Sequence, residues 1–245
     1  MLQSELATPA AAPVLATAAG ATRVPARGGL QLYSYFRSSA AYRVRIGLAL
    51  KGLGYETIPV HLVKDGGQQL GALYRHTNPQ ALVPALQIGE GGSALTQSLA
   101  ILEYFDEVYP QPALLPTDAL GRARVRAIAQ MVACEIHPLN NLRVLKYLTQ
   151  ELGVSAEQKD GWYAHWVALG LQAVEDTLAA SPDTGRFCHG DTPSIADCCL
   201  VPQVFNARRF HCALDAYPTI IRIVAACEQL PAFQQAAPEA QPDAE

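Results

Sequence analysis

Residues 110–118, PQPALLPTD, place three prolines within seven positions. No helix or central strand tolerates that density, because each proline removes a backbone N–H and fixes φ near −65°. The chain therefore divides there. On the N-terminal side, short runs of alternating character are interleaved with helical ones. On the C-terminal side only helical periodicity remains.

The upstream half can be followed run by run. LQLYSYF (30–36) alternates and is rich in aromatics, which predicts a strand, and AAYRVRIGLALKGL (40–53) spaces Tyr42, Ile46 and Ala49 or Leu50 as a helix does. YETIPVHL (55–62) predicts a second strand, LGALYRHTNP (70–79) a short irregular helix, VPALQIG (83–89) a third strand and SALTQ (93–97) a fourth. SLAILEYFDEVY (98–109) predicts the closing helix. Downstream, helices are expected over 119–152, 155–180, 194–210 and 218–230. The fold class is thus a small α/β domain followed by a larger all-α domain, with bounds of 31–112 and 118–238. Residues 1–30, rich in Ala, Pro, Thr and Gly without a sustained period, are read as a flexible extension; Glu5 and the prolines argue against an amphipathic transit helix there despite Arg23 and Arg27.

Composition removes several functions. A net charge of −4 with 18 Lys and Arg argues against a nucleic-acid partner, which needs a concentrated basic surface. No apolar run approaches the roughly 20 residues of a membrane-spanning helix, so no membrane partner is expected. The six cysteines lack C-x-x-C spacing and read as reduced, buried thiols of a cytoplasmic protein. No pair of histidines has ligand spacing, so no metal site is expected. Asp106 and Glu135 read as surface charges, and Ser194 with Asp197 as a capping box.

At the junction of the first strand and helix stand Arg37, Ser38 and Ser39. The first amides of a helix lack intrahelical partners and the dipole there is positive, so the position suits an anion, and a thiolate gains most in reactivity from it. A helix cap is the alternative use of either serine. No cysteine lies nearby in sequence, so the thiol would come from outside. Val83-Pro84 heads a strand, where a cis bond would leave the Val83 main chain free to pair with a peptide-like ligand. Gln97 and Ser98 mark a second helix start suited to a carboxylate.

The stretches LYSYFRSSxxxRVRI, ALKG, KDGGQQ, NPxxLVPAL, TQSLAILEYF, HPLNNLRVLKYL and SIADCCLVPQVFNARRF, in this order between residues 31 and 238, resemble the zeta class of glutathione transferases. The resemblance implies a glutathione transferase fold, with a thioredoxin-like N-terminal domain and a helical C-terminal domain, a homodimer, and glutathione as the bound thiol. It implies a glutathione site formed by Ser38, Ser39, Ala40, Ala41, Tyr42, Arg43, Gln69, Val83, Gln97, Ser98, His137, Asn141, Leu142 and Arg143. Ser38 would stabilise the thiolate, with Ser39, Arg37 and Arg209 as its companions in catalysis. Many members carry cysteine where this chain has Ala40; the nucleophile implied is the thiol of glutathione itself.

The chemistry implied is cis–trans isomerisation of a small dicarboxylate, maleylacetoacetate to fumarylacetoacetate, in tyrosine and phenylalanine catabolism. Maleylpyruvate isomerisation in gentisate degradation and general glutathione conjugation are the alternatives. Arg37, Arg143 and Arg209 are the candidates to grip carboxylates, because arginine offers a planar fork with two parallel donors. A non-catalytic binding protein on the same scaffold would typically lack the hydroxyl at the helix start or the Gln97-Ser98 pair, and both are present.

Overall fold

The structure is a computed structural model that describes residues 24–25, 29–89 and 91–245. Most of the extension expected over 1–30 lies outside these. Its described part includes β1 (Val24–Pro25), which pairs in parallel with β3 (Leu53–Gly54).

The main sheet has the order β4-β2-β5-β6, formed by β2 (Leu30–Ser34), β4 (Glu56–Pro59), β5 (Ala85–Ile88) and β6 (Leu95–Thr96). β2 runs parallel to β4 and antiparallel to β5, and β5 antiparallel to β6. Alternation in β2 turns Leu30, Leu32 and Ser34 inward, where Leu32 meets a core that includes Leu86 of β5. Helices α1 (Ser39–Leu50) and α3 (Ser98–Val108) cover this face. Gly47 lets them approach closely, since a Cβ there would sit 2.3 Å from Leu102 Cδ2. Helix α2 (Ala72–Thr77) contributes Tyr74 to a smaller cluster with Tyr35, Phe36, Val60 and Val83.

Helix α1 is buried along most of its length, its arginines included. It is enclosed by α3, by α7 (Ile195–Arg209) and by α9 (Pro231–Ala236), a short helix the sequence pattern does not reveal. Arg45 is fully buried and donates to Ala236 O at 2.9 Å, Phe36 O at 2.9 Å and Ser34 Oγ at 3.2 Å. It thereby ties strand, helix and C-terminal segment together.

The Pro-rich junction is held by Lys51. Its Nζ donates to Asp106 Oδ1 (2.7 Å), Tyr109 O (2.7 Å) and Pro112 O (2.6 Å), while Asp106 Oδ1 also accepts from Leu114 N (2.6 Å). Asp106 is therefore a junction residue and not the surface charge expected; Glu135 is exposed. The helix expected over 119–152 is broken in the structure. Helix α4 (Ala119–Gln130) passes into a π-turn (Met131–Ile136) and a 3-10 turn (His137–Asn140) before α5 (Leu142–Gln150). Pro138 cannot donate to the preceding turn, and the chain meets it with these irregular turns. Helices α6 (Ala156–Ala179) and α8 (Pro218–Glu228) complete the domain. Helix α7 is its centre, started by the Ser194-Asp197 capping box and packed on α1, α4 and α8. None of the cysteines forms a disulfide; Cys188, Cys198, Cys199 and Cys227 are buried as expected, whereas Cys134 is exposed and Cys212 half-buried. Among the described residues no helix is long and apolar enough to cross a membrane.

Candidate active site

A cleft of about 350 Å³ opens between the sheet domain and the helical domain. The break at Pro138 shapes one wall, bringing His137, Asn140, Asn141, Leu142 and Arg143 toward the start of α1. Of the residues expected at the site, Arg37, Ser38, Ser39, Gln69, Val83, His137, Asn141, Leu142, Arg143 and Arg209 line it.

Ser38 is the N-cap of α1: its Oγ accepts from Ala41 N at 3.2 Å and its own hydroxyl hydrogen stays available. Capping and anion donation are therefore compatible uses of one side chain. Ser39, 5 % exposed, is held differently, its Oγ accepting from Asn206 Nδ2 of α7. Asn206 places the serine pair in register with Arg209, one helical turn on. Arg209 is exposed at the cleft, its guanidinium 4.8 Å over the Phe210 ring, and Phe210 stacks on Tyr163 at 3.8 Å. Partial burial, with a smaller contribution from Arg37, lowers the Arg209 pKa. Burial likewise pushes the His137 imidazole down to about 3, helped by the charges of Arg43 and Arg143, so the ring is neutral at physiological pH.

The polar atoms left open in the walls suit a peptide. Gln69 donates to Leu62 O at 3.4 Å, but its Oε1 is buried without a partner, as are both amide atoms of Asn140 and Oδ1 of Asn206. Val83 precedes a cis bond to Pro84, and the β2–β5 ladder begins only at Ala85, paired with Tyr33. Such acceptors and donors fit the amides and carboxylates of glutathione.

Six expected residues do not line the cleft. Ala40, Ala41, Tyr42 and Arg43 lie within α1; Tyr42 packs edge-on to Phe205 in the core, and Arg43 is buried. Gln97 has φ +70°, is exposed, and donates to Gln80 Oε1 on the cleft wall at 2.8 Å. Ser98 is the first residue of α3, 6 % exposed.

Sequence reasoning missed Arg75, Lys146, Asn140, Tyr163 and Asn206, all of which line the cleft. For Asn206 a signal existed: with Gln203 it is one of two polar residues in the run 198–207, and it stands three positions before Arg209. With Arg75 and Lys146 included, five cations line the cleft, and among the described residues no Asp or Glu does. Among the described residues none of the five is in an ion pair, whereas Lys51, Arg126 and Arg208 are paired. An array of cations without counter-charges attracts an anionic ligand.

A thioredoxin-like domain whose helix start meets a helical domain across such a cleft is the glutathione transferase fold. Residues 28–107 match the model of the glutathione S-transferase N-terminal domain. A probable maleylacetoacetate isomerase of Vibrio cholerae is 51% identical over 88% of this chain and 98% of its own. A maleylpyruvate isomerase of Ralstonia is 49% identical over 87% and 99%. A maleylacetoacetate isomerase structure from Methylobacterium extorquens with bound malonate and glutathione superposes with a TM-score of 0.84 at 40% identity, covering 88% of this chain and 99% of that one. The chain belongs to the zeta-class glutathione transferases, the family of the maleylacetoacetate isomerases.

Proposed function

We propose that this protein is a glutathione-dependent cis–trans isomerase that converts maleylacetoacetate to fumarylacetoacetate in the breakdown of tyrosine and phenylalanine, working as a cytoplasmic homodimer. The observation that carries the reading is the cleft that two serines at a helix start line together with five cations, with no carboxylate in the lining and no ion pair to any of the five among the described residues.

Glutathione, when bound, supplies a thiolate that adds reversibly to the activated cis double bond and so permits rotation about it. Ser38 donates its hydroxyl to that sulfur, with the unpaired amides and dipole of α1 behind it. Ser39, fixed by Asn206, supplies a second donor. Ala40 offers no competing thiol. Gln69, Val83, Gln97, Ser98, His137, Asn141, Leu142 and Arg143 hold the tripeptide. Arg37 and Arg209 grip the substrate carboxylates and stabilise negative charge as it grows on the adjacent carbonyl oxygen. Neutral His137 can donate or accept without adding charge.

Isomerisation of maleylpyruvate is the second reading, favoured by the Ralstonia relative at 49% identity. An absorbance assay with each cis substrate, with and without glutathione, decides between the two. Turnover is expected to require glutathione without consuming it, and faster with maleylacetoacetate. Full activity in a thiol-free preparation, or stoichiometric loss of glutathione, would overturn the isomerase reading.

A further inference from the structure

Residues 238–245 run back from α9 toward the sheet domain, and none of them lines the cleft. Buried Gln241 fixes the return, its Nε2 donating to Gln235 O and Ala237 O, both at 2.9 Å. Glu245 pairs with Lys64 and faces His61 Nε2 at 3.5 Å. Between them Asp243 Oδ2 accepts from Phe36 N at 3.0 Å, across 207 positions of sequence, while its Oδ1 is buried without a partner among the described residues. A half-buried carboxylate that satisfies one oxygen of two is a costly way merely to tie down a tail.

Phe36 stands where the sheet no longer holds the chain. β2 ends at Ser34 and α1 begins at Ser39, and the turn between them takes much of its order from distant side chains. Arg45 Nη2 donates to Phe36 O at 2.9 Å and Asp243 accepts from Phe36 N, so this residue is gripped at both backbone groups, once from the core and once from the tail. Arg37, next in the chain, depends on that grip. Its guanidinium lies 4.7 Å over the Phe36 ring and makes no hydrogen bond or ion pair among the described residues. Its charge also acts on Arg209. Like charges repel, so in the absence of an anion the two arginines keep their spacing only through the backbone beneath them. Ser38 has anchors of its own, donating from N to Tyr35 O at 2.9 Å and capping Ala41 N. Loosening of the Phe36 amide therefore falls on Arg37.

We propose that Asp243 is a positioning residue for the dicarboxylate substrate: by accepting the Phe36 N–H it fixes the turn that carries Arg37, and with it the spacing of Arg37 from Arg209. The inference rests on the isomerase reading above. The hydrogen bond carries the role, and the charge of the carboxylate does not.

The test is a double-mutant cycle of Asp243→Ala and Arg37→Ala in the full chain, read as kcat/KM with the cis dicarboxylate and as calorimetric affinity of the glutathione-loaded protein for malonate, a short dicarboxylate probe. Asp243→Ala is expected to reduce both on the order of three- to thirtyfold, because it shifts a substrate-gripping guanidinium without removing it. In the Arg37→Ala background the same substitution should change either by less than about twofold, since its effect passes through Arg37. Glutathione affinity should hold in Asp243→Ala. Asp243→Asn should restore the parent's values, because the amide oxygen still accepts from Phe36 N. A purely structural residue would cost as much without Arg37 as with it, or weaken glutathione equally, and either result overturns the proposal. Failure of Asp243→Asn to restore also overturns it, by assigning the effect to charge. Should Asp243→Ala not fold, Asp243→Gly carries the same cycle. Failure of the isomerase reading looks different: the parent would bind malonate beside glutathione yet turn over neither cis substrate, and the malonate cycle would still judge Asp243. A parent that does neither overturns both.

Discussion

Replacing Arg209 with alanine should separate substrate handling from glutathione binding. Arg209 ends α7, lines the cleft and is in no ion pair among the described residues, and its guanidinium lies 4.8 Å over Phe210. A hydrogen bond to a charged group contributes about 1.5–3 kcal/mol, and the solvent open to one side of Arg209 places it toward the lower end. At about 1.36 kcal/mol per decade, Arg209→Ala should reduce kcat/KM for the dicarboxylate roughly ten- to a hundredfold. Glutathione affinity, measured by titration, should hold, and conjugation of a neutral electrophile should change little. Arg208 provides the control. Turned about 100° around the helix, it pairs with Glu228 at 2.6 Å where both side chains are more than 40% exposed (43% and 42%). Such a surface pair contributes about 0–1 kcal/mol, so Arg208→Ala should leave kcat/KM near that of the parent. An equal loss with both variants, or a loss of glutathione affinity with Arg209→Ala, would refute the carboxylate grip.

Ser38→Ala should cut turnover far more than Ser39→Ala, and should also lower stability by about 1 kcal/mol through loss of the α1 cap; equal losses of turnover would assign the thiolate to the wrong hydroxyl. Asp197 accepts from Cys188 N, Ser194 N and Ser194 Oγ, each at 2.8 Å, in full burial. With about 1–3 kcal/mol for each stranded donor, Asp197→Ala should lower the unfolding free energy by on the order of 3–9 kcal/mol, and a urea midpoint close to that of the parent would contradict this. His137 has a folded pKa of about 3, below the value near 6.5 of the unfolded chain, so the unfolded state binds the extra proton between these values. Its stabilising contribution is complete above pH 6.5 and is lost as pH falls toward 3. Comparing Tm between pH 7 and 5 for the parent and His137→Gln should therefore show a steeper fall for the parent; parallel curves would mean that the imidazole is not held neutral.

What the amino-acid order determined by itself was whatever depends on neighbours along the chain. The alternation of LQLYSYF, the helical spacing that follows it and the prolines of 110–118 each act through local φ/ψ restrictions and hydrogen bonds between near residues. They located β2, α1 and the junction without reference to anything distant. The Ser38 cap and the Ser194-Asp197 box are local in the same sense, spanning three residues each. Recognition of the quoted stretches supplied ten of the residues that line the cleft.

Only the tertiary structure decided what surrounds each side chain once distant segments meet. The surroundings of Arg43 and Arg45 are set only when α3, α7 and α9 close over them, from as far away as Ala236, 191 positions along the chain. Asp106 became a junction residue because Lys51, 55 positions earlier, reaches it. The Asn206–Ser39 bond spans 167 positions, so no window of sequence contains both ends. The wall at His137 exists because Pro138 interrupts a helical pattern that periodicity alone would continue to residue 152. The charge balance of the cleft was equally hidden: Arg75 and Lys146 join Arg37, Arg143 and Arg209 only through the folding of two domains against each other, and which cations lack a counter-charge is a property of that meeting.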